Sequence, residues 1–370
     1  MKRCIFHYPG PISDDPKAGS ALRPNRMLQA LRDIGYEVDC VTGYSAERKN
    51  RINAVKNRIK NGEHYDFVYS ESVNDPTAMS DSDHIPRHPF MDFSFFRFCR
   101  KHQIPVAMFY RDVYWKFHEI FKSAASTIKR MILIPMFSYD VLQYSSCLDL
   151  LYLPTKRMQN YVMQGLPSAE LPPGGDLRTG SLAVKQSRIP MADGKLEVFY
   201  VGSLSALYDN RKLFQAVQET EGVNLTVCTH EKQWQTCKAD YAPYLCDRIK
   251  IVHKSGDQLR ECYEKADVAA YCLDHNEYLD MAMPIKFFEA ISYGTPILAT
   301  SIYSISQVIQ RDQIGWVCET SVSGIKQKLE YLKAHPEDIT AKTENTIAAA
   351  YQNTWECRAQ QVADELTKIK

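Results

Sequence analysis

A lysine and a glutamate three residues apart stand in the run Pro284-Ile285-Lys286-Phe287-Phe288-Glu289-Ala290-Ile291-Ser292-Tyr293-Gly294-Thr295-Pro296. Pro284 suits the first turn of a helix and Gly294 with Thr295-Pro296 its end, so the run predicts a short helix of about three turns. Ile285, Phe288 and Ile291 then form its core stripe, while Lys286, Glu289 and Tyr293 share another face. A cation in a first turn opposes the helix dipole by a few tenths of a kcal/mol up to about 1, and an anion bound there reverses the sign. A diphosphate could use the free amides and the ammonium together. Glu289, one turn deeper, could accept two hydrogen bonds from a vicinal diol such as a ribose. An ordinary surface ion pair explains the same two residues equally well.

A second group lies in the first half. The strand-like run Ile104 to Tyr110 delivers Arg111, Asp112 and Trp115 to a sheet edge. Asp112 could orient or deprotonate an acceptor hydroxyl and Trp115 could stack on a sugar face; Asp112 reads as well as the N-cap of the next helix. Earlier, Pro9-Gly10-Pro11 through Gly19-Ser20 and on to Leu22-Arg23-Pro24 puts small residues and one cation after the first strand. Gly19 would let backbone approach a ligand, and Arg23 is a candidate for a second phosphate or for the acceptor. A plain turn with a surface arginine is the alternative.

Elements that could position these residues alternate throughout. Short apolar runs at 3–8, 37–42, 66–70, 105–110 and 149–153 are separated by helical patterns at 20–34, 47–61, 90–102, within 113–138 and at 155–164. The pattern restarts with strands at 196–201, 224–229, 248–252, 267–272, 296–300 and 315–318, helices at 210–219, 257–266, 284–293, 304–311 and 322–334, and mostly helical sequence from 338 to 369. Such alternation predicts an α/β fold of two Rossmann-like, doubly wound parallel-sheet domains with ligands at the carboxyl ends of the strands. The expected division is 1–172, a linker at 173–195 from LPPGGD onward, 196–350, and a closing helix at 351–370 that crosses back to the first domain.

The 370 residues, 45 % hydrophobic and 24 % charged, are globular and long enough for two domains. With 45 Lys/Arg against 44 Asp/Glu there is no overall basic field, so nucleic acid is not an expected partner. The 11 cysteines contain no C-x-x-C pair and read as reduced thiols of a cytoplasmic protein. No leader-type or membrane-spanning run is expected. Charge is nonetheless uneven: 48–62 carries six Lys/Arg and no acid, and 101–130 carries six against Asp112 and Glu119, beside the apolar run Met131–Phe137. These stretches could lie on an anionic membrane or be solvated helix faces.

The run from Ala266-Asp267 through PIKFFEAISYGTPILAT resembles the nucleotide-sugar signature of GT-B glycosyltransferases, especially family four. Ile251-Val-His-Lys-Ser-Gly256 resembles the family's strand-Gly-helix lead-in, Val201-Gly202-Ser203-Leu204 its phosphate loop, LPPGGD its interdomain turn, and Tyr351 to Arg358 its closing segment. The resemblance implies transfer of a sugar from a nucleotide-sugar donor to a hydroxyl of a glycan or lipid-linked acceptor, with retention, without a divalent metal or other cofactor, in cell-surface polysaccharide synthesis at the inner face of the membrane. It implies Glu289 on the donor ribose, Lys286 with the amides of Met283, Pro284 and Ile285 at the diphosphate or sugar, Gly202 and Ser203 at the phosphate, and His253 and Lys254 beside the base.

The sequence departs from the family at three places. Met281 stands where the family has an acid, Ser203 where an arginine usually follows the loop glycine, and Arg111 where a histidine precedes the aspartate. Arg211 or Lys212, at the start of the next helix, would then supply positive charge with Lys286; a solvated helix end is the alternative for both. Asp112, Lys286 and Arg211 are thus the catalytic candidates. Two other readings remain open: a degenerate GT-B subunit that binds sugar nucleotides, and a sugar-nucleotide epimerase or hydrolase.

Overall fold

The structure is a computed structural model and describes residues 2–12 and 19–369. The chain divides into two compact units, one ending at Pro173 and resuming at Trp355, the other spanning Gly174–Thr354.

In the first unit β1 (Arg3–His7), α1 (Gly19–Asp33), β2 (Glu37–Val41), α2 (Ser45–Lys60), β3 (Phe67–Glu71), α3 (Met91–Lys101), β4 (Val106–Phe109), α4 (His118–Ala124), α5 (Thr127–Cys147), β5 (Leu150–Leu153) and β6 (Ser168–Glu170) follow in order. The sheet is parallel with order β2-β1-β3-β4-β5-β6. Its central strands β1, β3, β4 and β5 are buried on both faces, as parallel strands under helices must be, which is why they read as continuous apolar runs, while the edge strands β2 and β6 are partly exposed. Asp92 of α3 ties the layers together. It accepts from Arg48 Nε of α2 at 2.7 Å and lies 2.9 Å from His7 Nε2 of β1, whose Nδ1 meets Ser70 Oγ at 2.8 Å. Burial is the largest influence on His7 and lowers its pKa. Arg48, expected on a basic surface, is therefore an interior residue.

The second unit contains α6 (Thr179–Ser187), β7 (Leu196–Val201), α7 (Arg211–Gln218), β8 (Val223–Cys228), α8 (Glu231–Tyr241), β9 (Ile249–Val252), α9 (Arg260–Lys265), β10 (Val268–Tyr271), α10 (Ile285–Ser292), β11 (Ile297–Thr300), α11 (Tyr303–Asp312), β12 (Gly315–Cys318), α12 (Val322–Ala334) and α13 (Pro336–Gln352). Its parallel sheet runs β12-β11-β10-β7-β8-β9. The stretch 173–195 is not a linker as expected: α6 buries Leu182 and Lys185 against the second core, and Lys185 Nζ donates to Ala266 O. Burial lowers the pKa of Lys185 to about 7.

Asn353 and Thr354 divide the mostly helical C-terminal stretch into α13 and a closing helix. Beyond them α14 (Trp355–Leu366) packs on α1, with Trp355, Ala359, Val362 and Leu366 joining Met27, Leu28 and Leu31 in the first unit's core. The chain enters and leaves the second unit side by side, Gly175 N donating to Asn353 O at 2.8 Å.

Both sheets reverse strand order next to their first strand: between β1 and β3 in one unit and between β7 and β10 in the other. Crevices outside the carboxyl ends of strands at such switch points are where open α/β sheets take ligands.

Candidate functional site

In the second unit the loop after β10 and the start of α10 lie at that switch point. The loop is fixed by Asp280, which accepts from Tyr303 N at 2.8 Å and lies 2.9 Å from His275 Nε2, and by Ser304 Oγ, which donates to Ala282 O at 2.8 Å. Met281, at the position where an acid was looked for, is buried in this loop. Asp280 is adjacent, but its carboxylate is taken up in holding the loop. The helix α10 is two turns rather than three. It ends in a Schellman motif: Gly294, at φ +69°, donates to Ile291 O at 2.8 Å and Thr295 N to Ala290 O at 3.1 Å.

Phe287, Phe288, Ala290 and Ile291 form the inner face of α10, with Ile285 only partly buried. Lys286 Nζ donates to Glu289 Oε2, so the two candidate ligand residues face each other; the lysine is 40 % exposed and the glutamate 17 %. Tyr293 does not share their face as the periodicity suggested. It is buried, stacked on Tyr263 with ring centres 4.5 Å apart, and lies under the Arg178 guanidinium at 4.7 Å.

The Tyr263, Tyr271 and Tyr293 hydroxyls are buried without hydrogen-bond partners, and the Glu289 charge acts on all three. Burial first, then that neighbouring carboxylate, raises the Tyr263 and Tyr271 hydroxyls; Tyr293 reaches about 12. This cage was missed in the sequence, where Tyr293 was placed on the Lys286–Glu289 face and Tyr263 and Tyr271 were given no part in the site.

The other second-unit candidates gather at neighbouring strand ends. Gly202 N donates to Cys228 O at 3.0 Å, and a Cβ at Gly202 would meet Tyr200 Oη at 2.8 Å. That hydroxyl in turn donates to Ser203 O at 2.6 Å, so the loop needs glycine for packing whatever it binds. Ser203 Oγ accepts from Gln233. His253 Nδ1 meets Thr229 O at 2.8 Å, and Lys254 Nζ donates to Glu261 at 3.1 Å. Lys254 and Lys286 both act on the Cys228 thiol at the end of β8, lowering a pKa that burial raises. Met283, Pro284 and Ile285 are partly buried at the mouth of α10. Arg211 and Lys212 are drawn elsewhere: Arg211 Nε lies 2.8 Å from Asp209 Oδ2, and Lys212 Nζ 2.6 Å from Asp274. Asp274 was not anticipated, and its charge offsets the lysine proposed for a leaving diphosphate.

In the first unit Gly19 opens α1, while residues 13–18 of the expected ligand loop lie outside the described residues. Arg23 is not a surface residue. Its Nε donates to Glu71 Oε1 at 3.2 Å, its guanidinium lies 3.4 Å from the centre of the Phe109 ring, and both terminal nitrogens are buried without partners. Arg111 Nη2 is 3.8 Å from the other Glu71 oxygen, and Arg111 N donates to Ser72 Oγ at 3.0 Å. Glu71 was missed, although an acid closing an apolar strand run is the kind of signal that could have marked it.

Asp112 Oδ1 accepts from Tyr114 N at 2.9 Å, but the N-cap of the short turn Tyr114–Lys116 is Val113, not Asp112 as the alternative reading had it; Asp112 also lines a pocket with Asn74, Asp75, Tyr110, Tyr114 and Asp140. Its cavity volume is about 10 Å³, room for a single water molecule. Trp115 corrects the expectation of a sugar platform: it is buried, stacked on Phe137 with ring centres 5.1 Å apart, and its Nε1 donates to Tyr110 Oη at 3.2 Å. Among the described residues no group of three or more His, Cys, Asp or Glu could hold a metal ion.

Residues 185–352 match the family model of group 1 glycosyl transferases. No curated protein matches in sequence. Solved structures similar over nearly the whole chain include the sucrose-phosphate synthase of Thermosynechococcus elongatus (TM-score 0.65, 13 % identity, covering 100 % of this chain and 99 % of that one). Another is Anabaena HepE in complex with UDP-glucose (0.63, 12 %, 100 % of both chains). A third is WaaG, a glycosyltransferase involved in lipopolysaccharide biosynthesis (0.57, 15 %, 99 % of both). At these identities the structural likeness speaks to the fold, and the family match to the second unit. Together they show that the chain has the GT-B fold and that its second unit matches the group 1 glycosyl transferase family over residues 185–352.

Proposed function

We propose that the second unit binds a nucleotide-diphosphate sugar and that the enzyme transfers the sugar to a hydroxyl of a glycan or lipid-linked acceptor held by the first unit. The observation that carries the reading is Lys286 and Glu289 together at the start of α10, within the family-matched region. Glu289 accepts both hydroxyls of the ribose. Lys286, released from Glu289, turns to the diphosphate together with the first-turn amides of α10. Breaking the sugar C1–oxygen bond leaves negative charge on the diphosphate, and that ammonium and those amides stabilise it where it develops. The bond that forms joins C1 to the acceptor oxygen, whose proton Asp112 orients or accepts. UDP-glucose in the HepE complex makes UDP-sugars the first donors to test.

The finer expectations belong to the same proposal: retention at C1, stabilisation of the leaving group without a metal, a role in surface polysaccharide synthesis, and work at the inner face of the cell membrane. A second reading, a degenerate nucleotide-sugar binder, has one observation in its favour, the buried Met281. Incubation with UDP-, GDP- and ADP-sugars, with and without acceptor lipid extract, separates the readings. Acceptor-dependent nucleotide release supports transfer, release without acceptor supports hydrolysis, and tight binding without release supports the degenerate subunit.

A further inference from the structure

Most amphipathic helices turn a polar side to solvent; α5 is apolar on both its inward and much of its outward side. Leu133, Phe137, Asp140, Tyr144 and Cys147 face inward. The outward side carries Ile128, Met131, Ile132, Pro135 and Leu142 at helical spacing, with Ile128 75 %, Met131 71 % and Leu142 67 % exposed. Phe90, 64 % exposed, extends this face by packing edge-on against Tyr139 of α5 at 6.2 Å. The polar groups on the outward side are satisfied within the helix. Ser138 Oγ donates to Ile134 O at 2.9 Å and Ser145 Oγ to Val141 O at 3.0 Å, so neither hydroxyl depends on water.

Cations flank the face. Lys129 and Arg130 lie in the first turn of α5, Lys116 and Lys122 precede it in the chain, and Arg97 of α3 reaches its C-terminal end, bonded to Gln143 and Ser146. Among the described residues none of these five has an acidic partner; Lys116 sits over the Trp115 ring and Arg130 donates to Thr127. The only acid between residues 113 and 139 is Glu119. The other basic stretch differs. On α2, Arg48 is buried on Asp92 and Arg58 pairs with Asp39, and the apolar residues Ile52, Val55 and Ile59 face inward, so its cations border no exposed apolar face. Among the described residues no helix is long and apolar enough to cross a membrane.

We infer that the outward face of α5, with Phe90, is a membrane-docking surface that lies in the interface of an anionic bilayer, its apolar side chains among the acyl chains and the flanking cations on the headgroups. This rests on the proposed membrane location and assigns it to one surface. Unpaired cations choose the occupant: a second copy of the same face would bring like charges together, whereas acidic headgroups neutralise all five.

Flotation of the full chain with phosphatidylcholine vesicles, with and without phosphatidylglycerol, tests it. The protein should float only with the anionic vesicles and be released by high salt. Met131→Glu with Ile132→Glu should lower the bound fraction about tenfold or more, as should Lys129→Glu with Arg130→Glu. Lys49→Glu with Lys60→Glu, on exposed positions of α2, should leave it unchanged. Absence of wild-type flotation, or flotation of the Met131/Ile132 variant like wild type, overturns the inference. So does a wild-type dimer in sedimentation velocity that this variant dissociates, in the absence of vesicle binding. Thermal stabilisation by nucleoside diphosphates, measured on the same variants, should be unaltered, so failure of the donor reading appears there and not in flotation.

Discussion

Arg23 donates from Nε to Oε1 of Glu71 at 3.2 Å, and both side chains are buried at the switch point of the first sheet. Tyr69 Oη donates to the same oxygen at 2.9 Å. Removing the carboxylate leaves a guanidinium in the interior with aromatic rings as its main neighbours. Glu71→Leu should therefore destabilise the protein by about 3–5 kcal/mol, while the double variant Arg23→Met/Glu71→Leu recovers most of the loss. Urea unfolding of the three proteins measures this; a stable Glu71→Leu single variant would show that the pair does not hold the site.

Asp140 gives the first unit a pH signature. Burial, the largest influence, raises its pKa to about 7 against hydrogen bonds from Thr77. The folded state therefore holds this proton where the unfolded chain has released it. Stability from this group is fully present below the ordinary carboxyl range and is lost as pH rises toward 7, by as much as about 4 kcal/mol. Asp140→Asn should flatten the fall in melting temperature between pH 4 and about 8. An unchanged pH profile in the variant would contradict the assignment.

Gly175 is required by close approach. A Cβ there would lie 2.8 Å from Phe288 O and from Ser292 Cβ, both on α10. Backbone cannot yield as a flexible side chain does, so Gly175→Ala should cost about 1–3 kcal/mol and displace α10. Thermal unfolding checks the stability. A parallel loss of nucleotide binding would show that the contact sets the helix that carries Glu289.

Lys286 and Glu289 should separate in a ligand series. Lys286→Met should weaken binding of a nucleoside diphosphate about tenfold while leaving the nucleoside alone unaffected, because only the former carries the charge it meets. Glu289→Gln should weaken both, since both carry the diol. Competition with a labelled nucleotide reads the two patterns.

Much of this architecture was legible because parallel strands covered on both faces must be apolar throughout, as Cys4–Phe6 and Val268–Tyr271 are. What was missed had a weak local signal. The strand β6 is only Ser-Ala-Glu and takes its conformation from pairing with β5. The helix α6 follows PPGG and is held by three side chains, Ser181, Leu182 and Lys185, whose partners lie far along the sequence. The helix α8 buries only Tyr241, too little for an apolar stripe. At the site, the 286/289 spacing was readable because helix geometry alone brings those residues together. The fate of Trp115 was not, since Phe137, which stacks on it, belongs to another helix. The Arg23–Glu71 pair was equally hidden, because chain crossing between α1 and β3 creates it.

The central claim, that Glu289 holds the donor ribose, is tested most directly by titration calorimetry of the wild type and Glu289→Ala with UDP-, GDP- and ADP-sugars. The account predicts that the wild type binds a member of this set and that the variant, with an unchanged melting temperature, binds it about tenfold or more weakly through loss of charged hydrogen bonds. Equal affinity of the two proteins for that donor would contradict it.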